Sequence, residues 1–235
     1  MVSSILQHRR KAFRGGGSTL LTNLWAWYEM AETTNTDNAI DASGNGRTWT
    51  KQVNMTPSAN TAPDGGACRV AISNAVSMGR AQENITNSAA VSVGIWIYFT
   101  GTTWTATSFT FDNTSSLTNF YNLGFFVRTT TQARLFLNGV YTTVSYPAFT
   151  ANAWHCFVYT FDRSGSGTST LYVDGVVATG TATGLPATTT VGNYKIQTGV
   201  AGNKFTTIAV WDKLLSSDEI TEFYNAGVNL RYTNL

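Results

Sequence analysis

The chain has 235 residues, enough for one two-sheet β domain with a full core and no need for a second domain. Only 12% of its residues are charged, against 43% hydrophobic and 13% aromatic, a composition that excludes a disordered chain and points to strands rather than helices. The net charge of +2 conceals an asymmetry: Arg9, Arg10, Lys11 and Arg14 all precede the first acid, Glu29, whereas from residue 18 onward 11 Lys and Arg face 13 Asp and Glu. That negative balance disfavours nucleic acid as a partner of the body.

Residues 1–17 read as an arm. Ile5, Leu6, Arg9, Arg10, Lys11, Phe13 and Arg14 form a basic stretch with a few apolar anchors, and Gly15, Gly16 and Gly17 make a flexible joint before a domain spanning residues 18–235. The stretch from Val2 to Leu6 is too short and polar for the apolar core of an export signal, and no segment has transmembrane length. Synthesis without a signal peptide, in a cytoplasm, is the expectation. The arm is either a solvated terminus or a segment that docks on an acidic partner.

Asp41, Ser43, Asn45 and Gly46 are turn-forming residues. Val91, Val93, Ile95, Ile97 and Phe99 alternate with Ser92, Gly94, Trp96, Tyr98 and Thr100, so the first set belongs in a core between two sheets. Residues 154–161 carry apolar side chains on both faces, as a central strand covered on both sides does. Asn138-Gly139 and Asp174-Gly175 predict tight hairpins, and Ser164 to Gly167 a longer one. One helix is expected: Ser216-Ser217-Asp218-Glu219 is a capping box, Ile220, Phe223 and Tyr224 form an apolar stripe, and Gly227 can end it.

Cys68 and Cys156 are far apart in sequence and sit among strand residues, which favours two reduced, buried thiols. His155 is the only histidine of the body, at the start of a buried strand beside Trp154, and reads as a hydrogen-bonded core residue rather than a base. Cys156 must point to the opposite face, so the two cannot form a nucleophile pair. Asp41, Ser43 and Asn45 have the ligand spacing of the first half of a calcium-binding loop, yet Gln52 stands where its bidentate Glu should be. An Asx turn is the alternative, so calcium stays open and no other cofactor is expected. Trp96, Tyr98, Trp104 and Tyr121, with Thr, Ser and Asn around them, could line a shallow sugar-binding groove or cover an inter-subunit contact.

The run from Trp154 to Asp162, then Leu171-Tyr172-Val173-Asp174-Gly175, residues 205–212 and the closing Leu214 to Ile220 resembles the C-terminal half of the laminin-G-like, concanavalin-A-like jelly-roll family. Together with Leu20 to Met30, the resemblance covers about residues 19–227, though residues 50–150 match by pattern only. It implies an all-β, concanavalin-A-like two-sheet antiparallel jelly-roll sandwich with one short C-terminal helix and an extended N-terminal arm. It also implies that residues 24–30 form the first strand and pair with residues 207–211. Hydrolases of this class carry alternate acids on one strand in a Glu-x-Asp-x-x-Glu type of run, which the chain lacks; Asp218, Glu219 and Glu222 lie on the predicted helix.

The arm joined by glycines to this domain also resembles the start of tailed-bacteriophage virion proteins. That resemblance implies a non-enzymatic structural protein of the virion, a capsid decoration or tail appendage anchored by the arm to a capsid or tail protein, and a homo-oligomer. The alternative is a lectin-like module for cell-surface or environmental polysaccharide, and a third reading is a glycoside hydrolase.

Overall fold

A computed structural model describes residues 17–34, 38–49, 55–59, 61–72, 76–80, 90–101, 107–112, 123–137, 140–184 and 193–235. Two antiparallel sheets account for the strands among them. The nine-stranded sheet runs in the order β12 (Val176–Val177), β11 (Thr168–Val173), β10 (Ala153–Asp162), β5 (Ala90–Phe99), β15 (Lys204–Trp211), β3 (Cys68–Ala71) and β2 (Met55–Ser58). In addition, β1 (Leu24–Tyr28) pairs with β15, and β13 (Ala182–Thr183) with β11. The six-stranded sheet runs β4 (Val76–Arg80), β14 (Asn193–Thr198), β6 (Thr107–Asp112), β7 (Leu123–Thr129), β8 (Gln132–Leu137) and β9 (Val140–Ser145). This is the expected jelly-roll sandwich.

Period-two alternation builds the core between the sheets. Val91, Val93, Ile95, Ile97 and Phe99 of β5 and Phe157, Tyr159 and Phe161 of β10 face Phe109, Phe125, Leu135, Val144 and Ile196 of the opposite sheet. Phe125 and Phe157 stack at 5.5 Å, bridging the layers. Each such side chain contributes about 1.5–3 kcal/mol on burial, so this row dominates the stability of the sandwich.

The Asp174-Gly175 hairpin forms as expected, whereas β1 ends at Tyr28, two residues short of the expected Met30, which takes a positive φ of 56°. Asp174 and Gly175 both take positive φ, 51° and 79°, which suits the twist of a two-residue hairpin. Leu137 pairs with Val140 across β8 and β9; the Asn138-Gly139 turn between them lies outside the described residues. The chain ends meet as the family resemblance implied: Trp27 pairs with Ala209 and Tyr28 with Ile208. A bulge at Thr207 then ties down the C-terminal tail, since its hydroxyl donates to the Leu230 carbonyl at 2.9 Å and accepts from Asn229 Nδ2 at 2.9 Å.

The one α-helix among the described residues, α1 (Ser217–Tyr224), has the full capping box: Ser216 Oγ accepts from the Glu219 amide at 3.3 Å, and a Glu219 carboxylate oxygen accepts from the Ser216 amide at 2.9 Å. Its end corrects the sequence reading. Asn225 already adopts the left-handed conformation with φ of 45°, two residues before Gly227, because asparagine tolerates that region and caps the last turn itself. Among the described residues no helix is long and apolar enough to cross a membrane.

Candidate functional site

The two outward faces of the sandwich differ. On the nine-stranded sheet, Trp27, Trp96, Cys156, Val158, Ala209 and Trp211 form a second core, covered by Leu20, Leu215, Ile220 and Phe223. Trp211 meets Trp27 edge-on at 6.1 Å and Phe223 at 5.4 Å, and its indole N–H donates to the Leu20 carbonyl at 2.7 Å. The helix approaches this closely because Gly94 has no side chain: a Cβ there would lie 2.3 Å from the Phe223 ring.

This arrangement corrects the reading of Trp96 as a sugar-stacking residue. Its ring lies under Tyr224 at 5.9 Å, nearly parallel, and the residue is only 1% exposed, so no sugar can reach its face. Tyr98, further along the same strand, is half-buried, with Trp154 edge-on at 5.7 Å and the Lys204 ammonium 4.9 Å from its ring centre. Trp104 and Tyr121 lie outside the described residues, as do Ile5, Leu6, Arg9, Arg10, Lys11, Phe13 and Arg14 of the arm.

The structure does bring Asp41, Ser43 and Asn45 into one loop. Asp41 Oδ1 accepts from the amides of Trp27 and Ser43, both at 3.0 Å, and from the Ser43 hydroxyl at 2.6 Å; Oδ2 accepts from the Arg47 amide at 3.0 Å. The Asn45 side-chain amide donates to the carbonyls of Leu24 and Trp25. Both carboxylate oxygens are thus engaged by donors, the arrangement of an Asx turn stapling β1. Among the described residues no cluster of three or more His, Cys, Asp and Glu side chains is disposed to hold a metal.

His155 is a core residue. Its Nδ1 faces Asp174 Oδ2 at 2.7 Å and its Nε2 the Thr150 carbonyl at 2.9 Å, so neither nitrogen is left to take a proton from a substrate. Asp174 Oδ1 meanwhile accepts from the Cys156 amide at 2.8 Å, coupling the hairpin turn to β10. Both cysteines are free and buried; burial, reinforced by the charge of Asp174, pushes the Cys156 thiol well up, and burial raises Cys68. Neither is an activated thiolate. Burial raises the Glu219 carboxyl, but Lys213, the Ser216 amide and Thr19 outweigh it and hold it below the ordinary value. That acid anchors the helix.

On the six-stranded sheet the outward-facing residues make a different surface, which the sequence reading missed. Phe126, Arg134 and Thr143 pair across β7, β8 and β9, and Gly124, Phe136 and Tyr141 form the next row. The Arg134 guanidinium carbon lies 4.1 Å from the centre of the Tyr141 ring, and Phe136 meets that ring edge-on at 6.3 Å. Tyr141 is 50% exposed, Thr143 is exposed, and Phe126 is half-buried. The Asn138-Gly139 pair in the sequence held the signal: Leu137 pairs with Val140, and with that register Phe136 pairs with Tyr141 and Arg134 with Thr143.

Residues 71–221 match the model of the concanavalin A-like lectin/glucanases superfamily. No curated protein matches the sequence. Among solved structures, the binding domain of Paraclostridial mosquitocidal protein 1 superposes with a TM-score of 0.64 at 11% identity, covering 88% of this chain and 53% of that one. Domain 4 of AbnA, a GH43 extracellular arabinanase from Geobacillus stearothermophilus, solved in complex with arabinotriose, gives 0.59 at 14% identity, covering 86% and 98%. The Trypanosoma rangeli sialidase in complex with sialic acid gives 0.60 at 12%, covering 86% and 32%. At these identities the likeness is one of fold, and the chain spans about half the length of the first of these proteins.

Proposed function

Because this chain belongs to the concanavalin A-like lectin/glucanase superfamily, we propose that it is a non-enzymatic glycan-binding module that holds polysaccharide on the outward face of its six-stranded sheet. One observation carries the reading. The helix and the C-terminal tail fill the outward face of the nine-stranded sheet, whereas the other outward face presents Tyr141, Phe126 and Arg134 with the Thr143 hydroxyl. Exposed rings supply stacking and flanking polar groups supply selection, which is how sheet surfaces bind sugars. The AbnA domain, which this chain covers almost entirely and which was solved with arabinotriose, supports the same reading.

The test is a glycan array probed with the wild-type chain and Tyr141→Ala, with and without calcium. The reading expects binding that Tyr141→Ala removes; wild-type silence in both conditions contradicts it. An accompanying panel of polysaccharides should show no hydrolysis.

The four cations ahead of any acid favour a second role for the same molecule, that of a virion structural protein of a tailed phage. In this proposal Arg9, Arg10, Lys11 and Arg14 dock on acidic surface of a capsid or tail protein, Ile5, Leu6 and Phe13 fill apolar grooves, and the sandwich, as a homo-oligomer, is displayed outward. Deleting residues 2–17 should abolish particle association while sugar binding survives. Unchanged association would remove the role assigned to the arm.

A further inference from the structure

We propose that Arg134 makes this face a subsite for a carboxylated sugar, so that the preferred ligand is an acidic, uronate-containing polysaccharide rather than a neutral one. The inference rests on the glycan-binding reading and narrows it.

Arg134 Nε is shut off from solvent, and no hydrogen-bond acceptor meets it among the described residues. The desolvation cost falls on Nε, whereas the two terminal nitrogens are not shut off and present a planar fork that matches a carboxylate two bonds at a time. Other arginines of the described body are engaged differently: Arg69 is fully buried against Glu32, Arg231 is held by Asp64, and Arg47, though it too lies over a ring, Trp25, donates to the Trp25 carbonyl. Arg134 has an aromatic partner, Tyr141, whose ring centre lies 4.1 Å from the guanidinium carbon, and no carboxylate partner among the described residues. A cation positioned by a ring and lacking a carboxylate is prepared for an anion.

The surroundings agree in charge. Arg128, where the register of β7 against β8 shifts, is exposed, and the described residues in the rows around Arg134 are Phe126, Phe136, Tyr141, Thr143, Gln132 and Ser145, with no acid among them. Tyr141 and Phe126, on the same outward side, offer ring surface for the sugar face, and Thr143, the register partner of Arg134 on β9, offers a hydroxyl for a sugar hydroxyl. The chemistry selected is therefore a pyranose bearing one carboxylate, repeated along a chain.

The experiment uses the full chain and four immobilised ligands: polygalacturonate, its methyl ester, neutral arabinan and poly-glutamate. Wild type should bind polygalacturonate at least about tenfold more tightly than the ester, the loss expected when a charged hydrogen-bond partner is removed. Arg134→Gln should bring the two affinities together, Arg134→Lys should recover only part because it lacks the fork, and added salt should weaken the acid form alone. Arg9→Gln/Arg10→Gln should leave this preference in place.

Four results would overturn the inference: equal wild-type affinity for acid and ester, a preference untouched by Arg134→Gln, its loss on changing the arm, or equal retention on poly-glutamate. The ester comparison needs only wild type and stands even if a variant fails to fold. Binding to arabinan without preference for the acid removes the charge inference and keeps the glycan reading; binding to no sugar removes both.

Discussion

The two outward faces of this sandwich begin from similar strand chemistry, aromatic residues alternating with core residues, and end differently. On the nine-stranded sheet the aromatics are Trp27, Trp96 and Trp211, and a helix, a 3-10 turn and a tail have converged on them. On the six-stranded sheet Tyr141 stays half in solvent with an arginine laid against it. An aromatic strand face is thus only a candidate for binding; what decides is whether a distant segment covers it. Here the covering segment, α1, comes more than a hundred residues after β5 and is admitted by the missing side chain of Gly94.

The comparison can be broken from either side. The largest expected effect is on the covered face: Phe223→Ala should cost about 3–5 kcal/mol by leaving a cavity against Trp27 and Trp211, measured by urea unfolding. Gly94→Ala should cost about 1–3 kcal/mol, because the added Cβ collides with the Phe223 ring and the helix must shift. Removing the cap with Ser216→Ala should cost about 1 kcal/mol and fray the first turn of α1, seen as lost amide protection there.

A smaller effect follows acid. The carboxyls of Asp64 and Glu219 are depressed in the folded state, burial being outweighed by Arg231 and the Gly66 amide for the first and by Lys213 and the Ser216 amide for the second. Their stabilisation is complete above the ordinary values of 3.8 and 4.5 and is lost as pH falls through the lower folded values. The melting temperature should therefore drop in that window, and less so in Glu219→Gln. The open face should barely register: Tyr141→Ala should change stability by less than about 0.5 kcal/mol while removing sugar binding. A large loss of stability there would mean that the ring is structural, and the contrast between the faces would fail.

Much of this architecture was legible in the residues. The alternation from Val91 to Phe99 gave the inner face of β5, the capping box gave the start of α1, and Asp174-Gly175 gave a hairpin, because each is a local preference written in adjacent positions. The pairing of β1 with β15 spans nearly the whole chain and came from the family resemblance instead. Trp96 was correctly set opposite the core, but its cover is a tertiary event that no local pattern announces. Asn225 ends the helix before Gly227 because asparagine also tolerates the left-handed region, so either residue could have capped it. Arg134 and Tyr141 were hidden for a different reason: they face each other only once a hairpin register is assigned, and each alone looks like an ordinary strand residue.

The most direct test is amide hydrogen exchange of the full chain with and without saturating polygalacturonate. The account predicts new protection in β7, β8 and β9, centred on Phe126, Arg134 and Tyr141, with α1 and residues 228–235 unchanged. Protection confined to α1, the tail or the Tyr98 and Trp154 cluster, with β7 to β9 unaffected, would contradict it.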